Sequence, residues 1–345
     1  MKITGVTTTS IPPGAGRRLT GSWVVEVGTD QGVVGLAVGA TDVRTEVEAI
    51  AQAVLIGEDP RGVTGLWQRM VERATQSGRA QTFQEGISLL DFALWDVKAK
   101  ANAEPLWKTL GGARPRINVH ASAADSAIGD DALERWFAAM AAQYGIRAGK
   151  LSMSADPAAD ARRLGLVRAA LATRTAEPVL MIDAEERWTA AEAIRRVREL
   201  EERFDLTWVE APAPSTDAAA LKLVSRSVSA AVCAGENLGY PSEFLPHFRE
   251  RSLDVVQLGT RNGGVTGLLQ LADSAFGFEL PVALAVSPGN INAQLGAVLP
   301  SVMSLEVIEP LAHGEFLTTD VRIENGWAIA GDKPGHGLAF ERSPK

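Results

Sequence analysis

The sequence predicts an α/β protein: a closed barrel of eight strands alternating with helices, preceded by a smaller α+β domain. Three observations carry this. Eight short β-like runs follow one another from residue 117 onward, their starts 29, 33, 27, 24, 24, 27 and 23 residues apart. Each gap has room for a loop and a helix, the signature of a parallel sheet with right-handed crossovers. The count of eight within about 190 residues favours closure into a barrel over an open doubly wound sheet. The length of 345 residues accommodates two domains with large cores.

The first stretch reads as antiparallel β. Ile3–Ile11 and Trp23–Val27 are β-rich, and Gly28-Thr29-Asp30-Gln31-Gly32 turns the chain into Val33–Val38. Amphipathic helices follow at Val43–Ile56 and Gly65–Arg73. Another spans Gly86–Ala101, where Ile87, Leu90, Leu94 and Val97 recur every three or four residues. Gly111-Gly112 and Arg114-Pro115 then punctuate the chain, which places a first domain at 1–115, the barrel at 116–320 and a tail at 321–345. The barrel strands are expected at Ile117–Ser122, Ile146–Met153, Val179–Asp183, Leu206–Glu210, Ala230–Glu236, Asp254–Leu258, Pro281–Val286 and Ser304–Ile308. Between two of them, Thr189 with Glu192 forms a capping box, and Ile194, Val197, Leu200 and Phe204 make the apolar stripe behind it.

Composition narrows the function classes. Apolar residues are 46% and charged residues 22%, as in ordinary globular proteins, and the net charge of −8 argues against nucleic acid or anionic membrane as a partner. One cysteine, Cys233, permits no internal disulfide and suits a reducing cytosol, and no apolar run is long enough to span a bilayer. The N-terminal residues lack the apolar core of a signal peptide, so a cytoplasmic location is expected. The nearest glycine cluster, Gly14-Ala15-Gly16-Arg17-Arg18-Leu19, puts Leu where a dinucleotide fingerprint needs its third Gly and follows Pro12-Pro13 rather than a strand.

Three strand candidates end in a carboxylate: Val179-Leu180-Met181-Ile182-Asp183, Leu206-Thr207-Trp208-Val209-Glu210 and Ala234-Gly235-Glu236. The intervals are 27 and 26 residues, one βα unit each, so Asp183, Glu210 and Glu236 converge at the C-terminal mouth, where barrel active sites lie. Three bare carboxylates repel, and oxygen-only ligands suit a hard cation such as Mg²⁺. The bland alternative, an acid capping the following helix, fits one such residue better than three in register.

At this point the chain resembles the enolase superfamily, in its mandelate racemase/muconate lactonizing enzyme branch. The resemblance rests on Asp91-Phe92-Ala93-Leu94-Trp95-Asp96, Pro105-Leu106-Trp107-Lys108-Thr109-Leu110-Gly111-Gly112, Ile182-Asp183-Ala184, Trp208-Val209-Glu210-Ala211-Pro212, Ala234-Gly235-Glu236 and Gly263-Gly264-Val265-Thr266-Gly267. It implies an N-terminal α+β capping domain on a (β/α)7β barrel, a tail returning to the cap, and an essential Mg²⁺ on Asp183, Glu210 and Glu236. It also implies a small carboxylate substrate losing its α-proton, and a homo-oligomer.

The catalytic pattern departs from the family. Lys150 matches the first Lys of the usual second-strand pair, but Ser152 stands where the base is expected. Leu258 and Gly259 occupy the sixth-strand acid or Lys positions, and Val286 the seventh-strand His position. What remains is Lys150, which the resemblance assigns to the substrate carboxylate, Glu185, expected to point as Asp183 does, and Glu306, similar to the family's eighth-strand acid. By elimination Glu185 is the candidate base and Glu306 the candidate acid, against the simpler readings of a loop acid beside Arg187 and a barrel salt bridge. Among the histidines, His120 is expected to line the barrel, His247 to lie on a helix surface and His336 to pack near the cap; His313 follows the eighth strand. Arg17 and Arg18 lie where family caps close over substrate. The leading expectation is an acid-sugar dehydratase; the alternatives are a racemase or epimerase, and a metal-binding relative without proton-transfer chemistry.

Overall fold

The computed structural model describes residues 1–11, 22–123, 128–308 and 316–341. Alternating apolar residues in the first segment form a three-stranded antiparallel sheet of β1 (Ile3–Ser10), β2 (Trp23–Thr29) and β3 (Val34–Gly39). Its inner face (Ile3, Val25, Val27, Ala37) is buried. The helix expected over Val43–Ile56 is α1 (Arg44–Ile50) followed by one wide turn at Ala51–Leu55. α2 (Val63–Gln76) and α3 (Ala80–Ala101) both outrun their expected bounds, and α4 (Leu106–Thr109) leads to the barrel.

The alternation predicted for the rest of the chain is present. In order come β4 (Arg116–Ala123), α5 (Asp130–Tyr144), β5 (Ala148–Ser152), α6 (Pro157–Leu171), β6 (Val179–Asp183) and α7 (Ala190–Glu201). Next are β7 (Leu206–Glu210), α8 (Ala218–Ser225), β8 (Ala231–Ala234), α9 (Leu245–Glu250), β9 (Val255–Leu258) and α10 (Gly264–Gly277). β10 (Val282–Leu284), α11 (Asn292–Gly296) and β11 (Val302–Val307) complete it. Among the described residues, these eight strands are parallel and paired in sequence order, and β11 closes on β4 through Leu305–Val119 and Glu306–His120. Period-two alternation sorts their side chains. Leu180, Ile182, Val209 and Val256 join the core shared with the helices, while Met181, Trp208, Cys233, Val255 and Ala283 form a separate plug. Thr189 caps α7 as expected, accepting the Glu192 N–H at 3.2 Å.

After β12 (Leu317–Thr319), the chain forms a hairpin of β13 (Arg322–Glu324) and β14 (Trp327–Ile329). β14 runs antiparallel to the start of β4, and β15 (Leu338–Phe340) pairs with β12. Beyond the hairpin His336 is fully buried, its Nε2 2.6 Å from the Leu36 carbonyl and its N–H donating to Asp96.

The segments that carry the family resemblance meet one another. Asp91 is fully buried in α3 and accepts from the N–H and hydroxyl of Thr266, at 2.8 and 2.7 Å, in the first turn of α10. Burial pushes the Asp91 carboxyl up to about 7 against the pull of those donors. Trp95 donates to the same hydroxyl, and Trp67 donates to the Gly263 carbonyl. Gly264 has φ +71°, and a Cβ there would lie 2.6 Å from Asp91 Oδ2, so only glycine brings the two domains this close.

Candidate active site

Each candidate ligand is delivered by its strand end. Asp183 is the last residue of β6 and sits in register with Glu210, the last residue of β7; Glu236 follows β8 by two residues. The chain turns sharply after Asp183 and Glu210 and just before Glu236. Glu185, Glu186 and Ala211 have φ of +51°, +61° and +41°, and Gly235 has φ +136°. A Cβ at Gly235 would lie 2.5 Å from the Gln257 carbonyl oxygen, which excludes any other residue.

Lys150 reaches the same point from β5. Its Nζ is 2.5 Å from Glu210, 3.1 Å from Glu306 and 3.6 Å from Asp183, with the lysine itself buried. Burial alone would depress the ammonium, but Glu210, Glu306, Asp183 and Glu236 hold it well above its ordinary 10.5. It is a fixed cation.

The acids divide. Burial would raise Glu306, but the Lys150 charge beside it pulls its carboxyl down to about 2. Glu236, half-buried at the rim, is pushed up to about 7 by desolvation and then by the charge of Glu306. Glu306 is thus held as a carboxylate beside the ammonium, the barrel salt bridge that the sequence also allowed for it. Its Oε2 also accepts the Val286 N–H at 3.3 Å. One layer below, His120 is buried on the edge of Trp208, its Nδ1 2.9 Å from Ser304 Oγ, and burial lowers its imidazole to about 3.

Glu185 stays outside this cluster. β6 ends at Asp183, so strand alternation no longer governs a residue two positions on. The left-handed backbone turns Glu185 outward, exposed, with its carboxylate 3.7 Å from Arg187. His247 also departs from expectation: it is buried at 2% exposure, with Nδ1 2.9 Å from Ser252 Oγ, because α9 packs that face inward. Arg17, Arg18 and His313 lie outside the described residues.

Sequence reasoning missed Glu186. Its Oε1 accepts from Ser215 Oγ at 2.5 Å and Asn237 Nδ2 at 3.0 Å, tying together the loops that follow β6, β7 and β8. The only signal was its adjacency to the acidic strand end.

Among the described residues, no three acidic, histidine or cysteine side chains are grouped as a ready metal cage in this conformation; the Lys150 ammonium lies between the carboxylates. The donor set nonetheless fits a hard divalent cation. Four carboxylates face one ammonium, and Glu210 Oε2 is buried with no hydrogen-bond partner. Beside the cluster, between cap and barrel, is a cavity of about 300 Å³ lined by residues from both domains, including Val38, Leu89, Arg261 and Val286. No helix among the described residues is long and apolar enough to cross a membrane.

Comparison with known proteins agrees with this architecture. Residues 17–111 match the mandelate racemase/muconate lactonizing enzyme N-terminal domain, and residues 132–343 match the enolase C-terminal domain-like family. A 3,6-anhydro-alpha-L-galactonate cycloisomerase of Streptomyces coelicolor is 31% identical over 88% of this chain and 83% of its own. The crystal structure of a Streptomyces coelicolor racemase with bound magnesium superposes with a TM-score of 0.86 at 28% identity, covering 98% of this chain and 97% of that one. L-talarate dehydratase of Polaromonas, complexed with magnesium and L-glucarate, gives 0.82 at 26% identity over 93% and 90% of the two chains. The matched domains span most of the sequence, cap and barrel alike: the chain belongs to the mandelate racemase/muconate lactonizing enzyme family of the enolase superfamily.

Proposed function

We propose that this protein is a Mg²⁺-dependent lyase that removes the α-proton of a hydroxylated carboxylic acid of the acid-sugar class. The observation that carries the reading is the Lys150 ammonium held among Glu210, Glu306 and Asp183 at the barrel mouth, beside a cavity between cap and barrel. The dehydratase and cycloisomerase relatives support the reaction class. Asp183, Glu210 and Glu236 would hold the metal. When bound, Mg²⁺ would supply Lewis-acid stabilisation of the charge that develops on the substrate carboxylate.

Lys150, permanently charged, holds the substrate carboxylate. We take Glu306, fixed as a carboxylate by Lys150 and the Val286 N–H, as the group that accepts the proton in place of Glu185, whose carboxylate pairs with Arg187 outside the cluster. The racemase reading has a neighbour at 28% identity, but it needs bases on opposite faces of the carbanion. Ser152 and Val286 provide none. Action in the cytoplasm, supported by a single buried cysteine, and assembly as a homo-oligomer belong to the same proposal.

The test is a screen of acid sugars with Mg²⁺ in D₂O. Loss of water with formation of a keto-deoxy acid is expected. Deuterium exchange at the α-carbon without elimination supports the racemase reading, and no exchange with any bound acid refutes proton-transfer chemistry.

A further inference from the structure

The cavity between cap and barrel is lined by neither Lys150 nor Glu306, yet it adjoins their cluster at two points. Val286 belongs to its wall and donates its N–H to Glu306 at 3.3 Å. Thr260 and Arg261, also of the wall, follow Gly259, where a Cβ would lie 3.9 Å from the Glu236 Cβ. A substrate whose carboxylate is held at the cluster therefore has this cavity for its remaining carbons.

The wall is furnished for neutral polar groups. Ser88 donates its hydroxyl to the Gln84 and Arg261 carbonyls, at 3.0 and 3.2 Å, and so offers a ligand only lone pairs. Ser287 accepts the Asn292 N–H at 3.0 Å and keeps its own proton to donate. Asn290 is 2% exposed, with its N–H bonded to the Ser287 carbonyl at 2.9 Å. Its Nδ2 is a buried donor without a partner among the described residues. Such an atom costs free energy until an acceptor is supplied. Its φ of +54° is one that asparagine tolerates better than most residues. Ser22 and Thr260 add further hydroxyls. A carboxylate only accepts, whereas a sugar hydroxyl both donates and accepts, which matches this mixture. The apolar residues of the same wall, Val38, Leu89 and Val286 among them, suit the C–H faces of such a chain.

Charge on the cap side disfavours a second anion. Glu85 and Arg261 line both this cavity and a neighbouring hollow, which also holds Asp42 and Glu46. Asp42 is paired with Arg44 at 2.7 Å, leaving Glu46 and Glu85 against the one arginine. A second carboxylate placed there gains Arg261 but is repelled by both glutamates. We propose that the substrate is a monocarboxylic acid sugar, an aldonate hydroxylated along its chain, and that Asn290 selects it by donating to a hydroxyl beyond the α-carbon. The inference deepens the proposed function and rests on it for the placement of the carboxylate.

The test is calorimetric titration with Mg²⁺ present, using paired acids: gluconate with glucarate, galactonate with galactarate, and mannonate with mannarate. Members of a pair share a carbon skeleton and differ in the second carboxylate. The remaining probe, 2-hydroxyhexanoate, keeps the length and the α-hydroxyl but has no further hydroxyl. The tightest aldonate is expected to exceed its diacid and 2-hydroxyhexanoate by about tenfold or more, the effect of one buried hydrogen bond left unmade. Asn290→Gly keeps the backbone turn and removes the amide, so it should erase the advantage over 2-hydroxyhexanoate without changing the affinity of that probe. Asn290→Asp exchanges the donor for a charge and should weaken the aldonate as well. Glu85→Gln should tighten the diacids and narrow the ratio. A diacid or 2-hydroxyhexanoate bound as tightly as the best aldonate, an equal loss for all probes in Asn290→Gly, or no aldonate binding at about 20 mM would overturn the proposal. Glu210→Gln is the separate control. If binding of every probe survives both that substitution and EDTA, the metal-centred reading fails, while the aldonate ratios and the Asn290 variants still report on the cavity.

Discussion

Replacing Lys150 with Met tests whether the barrel mouth is held together by charge. The side chain is buried, and its Nζ is the shared partner of Glu210 at 2.5 Å, Glu306 at 3.1 Å and Asp183 at 3.6 Å. Met keeps the stem volume and removes the charge. Breaking a buried ion pair by deleting one partner costs about 3–5 kcal/mol, because the remaining charge is left uncompensated in low dielectric. For a chain of 345 residues, with about 2.1 cal/mol/K of unfolding entropy per residue, that is about 4–7 °C in melting temperature. The assay is thermal unfolding of both proteins in EDTA and again in excess Mg²⁺. The loss should appear in EDTA and shrink with Mg²⁺, whose charge substitutes for the ammonium, and Mg²⁺ should bind the variant more tightly. The pH dependence has a definite sign. A lysine whose folded pKa lies above 10.5 contributes fully below that value and loses its contribution only as pH rises through the folded pKa. The lysine's own contribution is therefore flat from pH 7 to 9. The difference between the two proteins should still widen with pH there, because without the ammonium the carboxylates, Glu236 at about 7 among them, hold protons in the folded variant that rising pH removes. Equal melting in EDTA, or a difference that grows with Mg²⁺, would refute the reasoning.

Four further outcomes are expected. Asp183→Asn, Glu210→Gln and Glu236→Gln should each abolish Mg²⁺ binding at millimolar concentration with unchanged circular dichroism; undiminished affinity in any two removes the ligand assignment. Glu306→Gln should stop α-proton exchange into a bound acid, whereas Glu185→Gln should lower it less than tenfold, since that carboxylate faces Arg187; the reverse order would restore Glu185 as base. Asp91→Ala should destabilise the protein by about 3 kcal/mol in denaturant titrations, through lost hydrogen bonds and the orphaned donors of Thr266. Glu186→Ala should weaken Mg²⁺ binding about tenfold by freeing the three loops, with partial rescue by Gln, and equal affinities would assign Glu186 to stability alone.

What the sequence determined by itself was periodic. The eight β-like runs became eight strands because apolar side chains alternating with a period of two are buried on both faces of a closed parallel sheet, a demand that local composition records. Asp183 and Glu210 were legible for the same reason: a carboxylate that ends a strand is placed at the mouth by strand geometry, whereas Glu236, two residues past β8, follows the turn at Gly235. Past the strand ends that rule lapses. Glu185 was read as if β6 continued, and the left-handed turn at residues 185 and 186 sent it to solvent. The ionisation of Glu306 was equally hidden, since it depends on Lys150, 156 residues earlier in the chain and 3.1 Å away in space. Only the tertiary structure joined Asp91 to Thr266, Glu186 to Ser215 and Asn237, and Val286 to Glu306. These contacts close over long stretches of chain, and the energy of a hydrogen bond or ion pair is set by distance and burial, which adjacency in sequence does not encode.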